Sequence, residues 1–350
     1  MDPEDEEIEA LPDGPPDGDV ALIVVDSEGH QARLDRYLAQ RMSGLSRNYL
    51  QQRIAAGDVQ VDGRVVTKPS LSLTIGQQLQ LAIRPTLASQ AFVAQPMPLN
   101  LVFEDEDLLV VDKPAGLVVH PAAGNWSGTL LNGLLARDPC FAELPRAGIV
   151  HRLDKDTSGL MVVAKSRQAM GHLVDAISSR SVGREYLACV QGRWQHQETL
   201  DVFASIGRDP RQRVRMKAFD PATPTMGRKA WTRFELMSRT ESHSLLYCRL
   251  GTGRTHQIRA HAQWLGHPLL GDVLYGGRAE LGMTRQALHA ASLQLEHPST
   301  KRPMHWISQP PPDLLSALQA AGLGYNPAQV RQRAATQWRA TNPPDQPFAA

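Results

Sequence analysis

GIVHRLDKDTSGLMVVAKS, residues 148 to 166, holds two acids, three basic side chains and a histidine, most of them gathered between two apolar runs. Both runs, 148–150 and 159–164, read as strands, so residues 151 to 158 form the connection between them. A sheet scaffold commonly presents reactive groups in such connections. Three readings are open on spacing alone. Asp154 is a nucleophile or base; Asp154 and Asp156 are a metal-binding pair; or the stretch is a turn satisfied by its own Asp, Thr and Ser side chains. The turn is the default, and the Asp-x-Asp pair is a poor metal signal, because no histidine at suitable ligand spacing and no third carboxylate supplements it.

Outward from this stretch the same texture continues. LLVVDKP, LMVVAKS, EYLACVQG, KAWTRFELM, SLLYCRL and ASLQLEH are short β-like runs among few helices, from about residue 99 to 315. They predict an α+β domain built on a mixed, largely antiparallel sheet. Upstream, Leu34, Tyr37 and Leu38 have helical spacing, and a second helix can begin at Ser46, bury Leu50 and Ile54, and stop at Gly57. VQVDGRVV then gives a hairpin through Asp62-Gly63, and Leu79, Leu81 and Ile83 alternate as a closing strand. With Arg33, Arg36, Arg41, Arg47 and Arg53 on its helices, this module over residues 20–84 resembles the S4 RNA-binding domain. Residues 85–98, poor in charge and with three prolines, suit a linker. Residues 316–350 are a polar C-terminal segment, expected to give a short peripheral helix and a frayed end.

Charge is informative only when read locally. The formal net charge of the 350 residues is +1, but residues 1–19 hold nine acids and no base, so the rest carries an excess of ten bases. The acidic start has too little apolar content to order itself and is expected to be a disordered tail. Five bases against one acid fall within residues 208–217, among them Arg211, Arg213 and Arg215. A polyanionic partner is the expectation these clusters raise. No apolar run nears the roughly 18 residues that cross a bilayer, and no signal-peptide pattern opens the chain, so a cytoplasmic protein without membrane contact is expected. Three scattered cysteines with no Cys-x-x-Cys pair argue against a disulfide framework or a cysteine zinc site.

A second constellation lies at RLGTGRTHQIRAHAQWLGHPLLGD, residues 249–272. Thr255 can cap a helix ending before Gly266, with Ile258, Ala262 and Leu265 on one face and His256, Arg259 and Gln263 on another. The preceding Gly-Thr-Gly lacks the Gly-Lys-[Ser/Thr] ending of a P-loop, and the histidines lack His-Glu-x-x-His spacing.

These motifs, HRLDKDTSGLMVVAK, REYLA, KAWTRFE, LGTGRTHQIRAH, HPLLGDVLYGG and QALHAASLQLEHP, occur in the order seen in the RluA-type pseudouridine synthases, which the chain resembles over roughly residues 20–315. The resemblance implies isomerisation of uridine to pseudouridine in large-subunit (23S) ribosomal RNA or its precursor, at the helix 69 stem-loop, without cofactor or metal and by a monomer. It implies roles residue by residue. Asp154 is the nucleophile, suited to reversible covalent work. Arg259 orients it through charge-assisted hydrogen bonds. Tyr186 stacks on uracil with its hydroxyl placed for proton removal. Arg152 fills the vacated space or contacts the displaced nucleotide, His151 is a supporting group, and both are expected to contact RNA. Asp156, Thr157 and Ser158 would be the loop's local hydrogen-bonding frame. Arg36, Arg47, Arg53, Arg211, Arg213 and Arg215 are the expected RNA-contacting residues. Two other classes remain on the residues alone: a non-catalytic RNA-binding factor, and a hydrolase using Asp154 and Asp156 as paired carboxylates.

Overall fold

The computed structural model describes residues 20–42, 45, 47–82, 91–122, 124–212, 214–220 and 227–335. The acidic start, Ser46, Ile83, Arg213 and residues 336–350 therefore lie outside the described residues. The chain divides into two compact units: one ends at Val93 and takes in Ala122–Ser127, and the other holds Ala94–Pro121 and everything from Gly128 on.

In the first unit β1 (Val20–Val24), α1 (Leu34–Arg41), α2 (Arg47–Ala55), β2 (Val59–Val61), β3 (Arg64–Val66) and β4 (Gln78–Ala82) follow one another. The strands make an antiparallel sheet in the order β1-β4-β2-β3. Leu34, Tyr37 and Leu38 of α1 and Leu50 and Ile54 of α2 bury against Val59, Val61, Leu79 and Leu81, as their spacing requires. Asp62 and Gly63 have φ of +50° and +77°, the two left-handed residues of a tight hairpin turn. The Asp62 carboxylate accepts from the Gln78 amide at 2.9 Å and from Gln77 Nε2 at 3.0 Å, which fixes the turn on β4.

In the second unit the elements are β5 (Leu101–Glu104), β6 (Leu108–Lys113), α3 (Leu130–Arg137), β7 (Ser158–Ala164), α4 (Arg167–Ser178), β8 (Gly183–Gln191), β9 (Thr199–Arg208), β10 (Met216–Phe219), β11 (Arg228–Arg239), β12 (His243–Leu250), α5 (Gln257–Trp264), β13 (Leu288–Glu296), β14 (Pro303–Ile307), α6 (Pro312–Ala320) and α7 (Pro327–Ala335). Ten strands form one sheet, β10-β9-β11-β12-β8-β13-β7-β6-β5, with β14 paired to β13. Only β13 with β7 is parallel, so the fold is α+β and its sheet largely antiparallel. All six β-like runs named from the sequence lie on strands of this sheet.

Two local expectations fail. Residues 148–150 are not a strand: Pro145–Gly148 is a short 3-10 turn with Arg146 and Ala147 at φ of +52° and +51°, and Ile149 makes a single bridge to Val163. Pro145 lacks a ladder donor, and a Cβ on Gly148 would lie 2.0 Å from the Ala164 carbonyl oxygen, so the run crosses β7 closely instead of pairing along it. The C-terminal helix is not peripheral either. Val330 and Ala334 of α7 are buried, and Arg333 reaches Glu235 of β11 at 2.7 Å while its carbonyl accepts from Arg249 of β12 at 2.7 Å.

Candidate active site

The loop 151–157 enters β7, between β13 and β6 in the sheet, and its backbone is tied down from several sides. Thr157 N–H donates to the Asp154 carbonyl at 3.0 Å, closing a turn. Lys113, fully buried at the end of β6, donates to the carbonyls of Pro114, Leu117 and Lys155 at 2.8, 2.9 and 2.9 Å. Burial pushes its ammonium down to about 7 against the pull of Asp156 and Asp154. Three acceptors for three N–H groups favour the ammonium form.

The expectation that Asp156, Thr157 and Ser158 hydrogen-bond among themselves is corrected. Their partners come from β13 and the segment leading into it. Arg285 donates to the Asp156 carbonyl at 2.9 Å, Gln286 to Thr157 Oγ1 at 3.2 Å, and Ser158 Oγ meets His289 Nδ1 at 3.0 Å. A turn that must hold one conformation is better fixed by a neighbouring strand than by its own short side chains. His151 lies inward, its Nε2 accepting from the Val162 amide at 3.1 Å, and burial pushes it down to about 3. It is therefore neutral, with its proton on Nδ1. Arg152, next to it, is exposed.

Asp154 meets Arg259 of α5, whose Nη1 donates to Asp154 Oδ2 at 3.1 Å. The other edge of the same guanidinium is held by Asp272, with Nε to Oδ2 at 2.7 Å and Nη2 to Oδ1 at 2.8 Å. Its face lies over the Tyr275 ring, 4.8 Å from the centroid. Burial alone would lower Arg259, but the hydrogen bonds to Asp272 and the charge of Asp154 raise it, so it is a permanent cation. Every side of this arginine is committed, and what remains open is the edge that orients Asp154.

The helix that carries Arg259 starts differently from expectation. Thr255 is not its cap. His256 precedes Gln257 with φ of +53°, and the first turn is secured by Gln257 Oε1, which accepts from Thr252 Oγ1 at 2.7 Å and the Arg254 amide at 3.0 Å. The left-handed step turns His256 towards the site, with Nδ1 3.0 Å from Tyr275 Oη and Nε2 3.9 Å from Asp154 Oδ1. Burial lowers His256, which is neutral at physiological pH. Of the expected polar face, Arg259 is buried and Gln263 half-buried.

Tyr186 stands on β8, opposite Cys248 of β12 and Ala290 of β13, and Ala290 in turn lies opposite Gly159 of β7. The close approach of β7 and β13 needs Gly159, where φ is +114° and a Cβ would lie 2.3 Å from the Ala290 carbonyl oxygen. Burial, with a smaller contribution from Asp154, pushes the Tyr186 hydroxyl up to about 12, so it is a neutral phenol.

The expected RNA-contacting arginines fall into three groups. Arg36 and Arg211 are exposed. Arg47, Arg53 and Arg215 are engaged by acids of their own unit: Arg47 with Asp35 at 2.9 Å, Arg53 with Asp58 at 3.3 Å, Arg215 with Asp209 at 2.6 Å. Arg213 lies outside the described residues. Asp35 is fully buried, and although burial alone would raise its carboxyl, hydrogen bonds from Arg33, Gln51 and Arg47 hold it well below the usual range. Arg47 is therefore part of the first unit's own structure.

The sequence reading did not single out Asp272, Tyr275 or Lys113. A signal for Asp272 existed: a buried arginine on α5 demands a carboxylate, and HPLLGDVLYGG supplies one acid. Among the described residues no group of three or more His, Cys, Asp or Glu is placed to hold a metal ion, and no helix is long and apolar enough to cross a membrane.

Comparison with known proteins follows the same division. Residues 107–264 match the RNA pseudouridylate synthase family, and residues 32–79 match the S4 domain. The chain is 44% identical over 301 residues to the ribosomal large subunit pseudouridine synthase D of Xylella fastidiosa, covering 82% of this chain and 88% of that protein. It is 42% identical over 301 residues to the protein of the same name from Vibrio parahaemolyticus, covering 82% and 90%. The structure of human RNA pseudouridylate synthase domain containing 1 superposes with a TM-score of 0.53 at 26% identity, over 69% of this chain and 98% of that one.

Proposed function

As the chain belongs to the RNA pseudouridylate synthase family and is such an enzyme, we propose that it converts uridine to pseudouridine in large-subunit ribosomal RNA, at the helix 69 stem-loop, with Asp154 as nucleophile. One observation carries the assignment of the site: a single loop carboxylate, Asp154, is oriented by a guanidinium whose other edge is locked by Asp272. Asp272 is not a second acid or base beside Asp154. Both oxygens of Asp272 are bound by Arg259 and the residue is buried, so it has no free edge for acid or base work.

In this reading the target uridine leaves its stack, at a cost of a few kcal/mol, and the exposed Arg152 occupies the space vacated. Asp154 then acts covalently and reversibly while the bond from ribose to N1 is replaced by a bond to C5. Tyr186, a neutral phenol, stacks on the base with its hydroxyl placed for proton transfer at C5. His151 holds the loop on β7 through Val162.

A pseudouridine map of 23S ribosomal RNA from cells with and without the gene tests the proposal. Loss of pseudouridine at helix 69, restored by a plasmid copy, is expected; an unchanged map overturns it. The first unit gives a second expectation. Arg36→Glu should weaken binding to a ribosomal RNA fragment and reduce the salt slope by about one phosphate, with thermal stability unchanged. Arg47→Glu sets a carboxylate against the buried Asp35, so it should instead lower the melting temperature. Equal behaviour of the two variants would show that the partition of these arginines is wrong.

A further inference from the structure

Arg184 differs from the other buried arginines of the catalytic unit. Arg259 has Asp154 and Asp272, and Arg249 has Glu185 and Glu235, all within 3.3 Å. Arg184, 8% exposed, has no hydrogen bond or ion pair among the described residues, and its Nε is fully buried without a partner. Burial pushes this guanidinium down, and only Tyr186 opposes that. A lone buried cation is among the costliest groups a fold can carry, so its retention points to an anion that arrives later.

Its place in the sheet says where that anion forms. Strand side chains alternate, so Arg184 and Tyr186 leave β8 on one face while Glu185 leaves on the other, where Tyr247 and Arg249 meet it. Arg184 acts electrostatically on His151 of the loop, and Tyr186 feels both Arg184 and Asp154. His151 Nδ1, which carries that ring's proton, is likewise buried and unpaired. Arg184 Nε and His151 Nδ1 are thus two unmatched donors, and Tyr186 feels Arg184 and Asp154 together. Gly253 leaves room for the guanidinium: a Cβ there would lie 2.8 Å from Arg184 Nη1.

We propose that Arg184 is a catalytic residue whose guanidinium stabilises the negative charge that uracil carries once its bond to ribose breaks. The proposal rests on the pseudouridine reading above. In that reaction the C1′–N1 bond breaks and its electron pair passes to the base, shared among N1, O2 and O4. The bond formed is C1′–C5, made with an electron pair of the turned ring, and the proton lost from C5 balances the one gained at N1. A preorganised, largely buried cation favours the charge-separated stage over bound uridine, so it raises the rate of the chemical step without adding affinity for RNA.

The test uses the full chain and a helix 69 stem-loop RNA under single-turnover conditions. Arg184→Met should slow pseudouridine formation on the order of 10²-fold or more, leave the RNA Kd within about twofold, and leave the melting temperature unchanged or higher because no partner is lost. Arg184→Lys should recover part of the rate. With 5-fluorouridine at the target position the detached base is a better leaving group, so the loss of its N-glycosidic bond should be less sensitive to Arg184→Met. Three results would overturn the proposal: a raised Kd with an unchanged rate, which marks a phosphate clamp; equal losses with both bases; or a lowered melting temperature, which marks a structural cation. Turnover by the unaltered chain, measured alongside, tests the parent reading separately.

Discussion

Asp154→Asn should abolish pseudouridine formation, with a loss on the order of 10⁴-fold or more in the single-turnover rate, while the protein stays folded and binds its RNA. The substitution is isosteric. Asparagine keeps an oxygen for Arg259 Nη1, which now donates to Asp154 at 3.1 Å, and the Asp272 side of that guanidinium is untouched. Among the described residues the Asp154 side chain accepts no other hydrogen bond, and the turn is closed by its backbone carbonyl, so the loop survives the change. What is lost is the negative charge and the nucleophilic oxygen. Nucleoside analysis of the product RNA, a gel-shift affinity and a melting temperature separate the three properties. A variant that still makes pseudouridine within about tenfold of the unaltered rate would remove Asp154 from the covalent role.

The parts of this molecule that were legible in the sequence are those set by local periodicity. β6, β7, β8, β11, β12 and β13 are apolar enough to announce themselves, and Asp62-Gly63 announces its hairpin because only residues tolerant of positive φ serve there. What could not be read is what non-local partners decide. Residues 148–150 have strand composition, but the close pass against Ala164 leaves them no ladder to join. Thr255 is a good cap by type, yet Gln257 does the capping because Thr252 and Arg254 are brought to its side chain by a left-handed step at His256. The basic clusters illustrate the same limit. Arg36 and Arg47 are equivalent in the sequence and both exposed, and only the burial of Asp35 between the helices ties Arg47 to the fold through an ion pair.

The site shows the same division. Asp154 was visible from its motif, but not the reason its carboxylate can be oriented: Asp272 is 118 positions away and enters only through Arg259. That arrangement explains why the motif residues lie on three different elements. A loop held by Lys113 and Arg285 supplies Asp154, a short helix supplies the cation, and the segment after it supplies the counter-charge. Arg259 joins the three, held by both oxygens of Asp272 and donating to Asp154, so substrate entry need not reorganise the charged groups.

Arg259→Lys should separate charge from geometry. Lysine keeps the positive charge but offers one ammonium in place of a fork, so it can satisfy Asp272 or Asp154 and cannot bridge both with the present bidentate hold. It also loses the planar face over Tyr275. The chemical step should fall by roughly 10²- to 10³-fold, the range seen when one preorganised donor is removed. Arg259→Met goes further, because it leaves Asp272 buried without a partner at a cost of about 3–5 kcal/mol, and the melting temperature should drop accordingly. Combining it with Asp272→Leu replaces the buried pair with apolar groups, which is often close to neutral, so the double variant should regain much of the stability. Activity should not return with it, since nothing then orients Asp154. Recovery of both stability and activity in the double variant would mean that the Asp154–Arg259–Asp272 array serves folding alone.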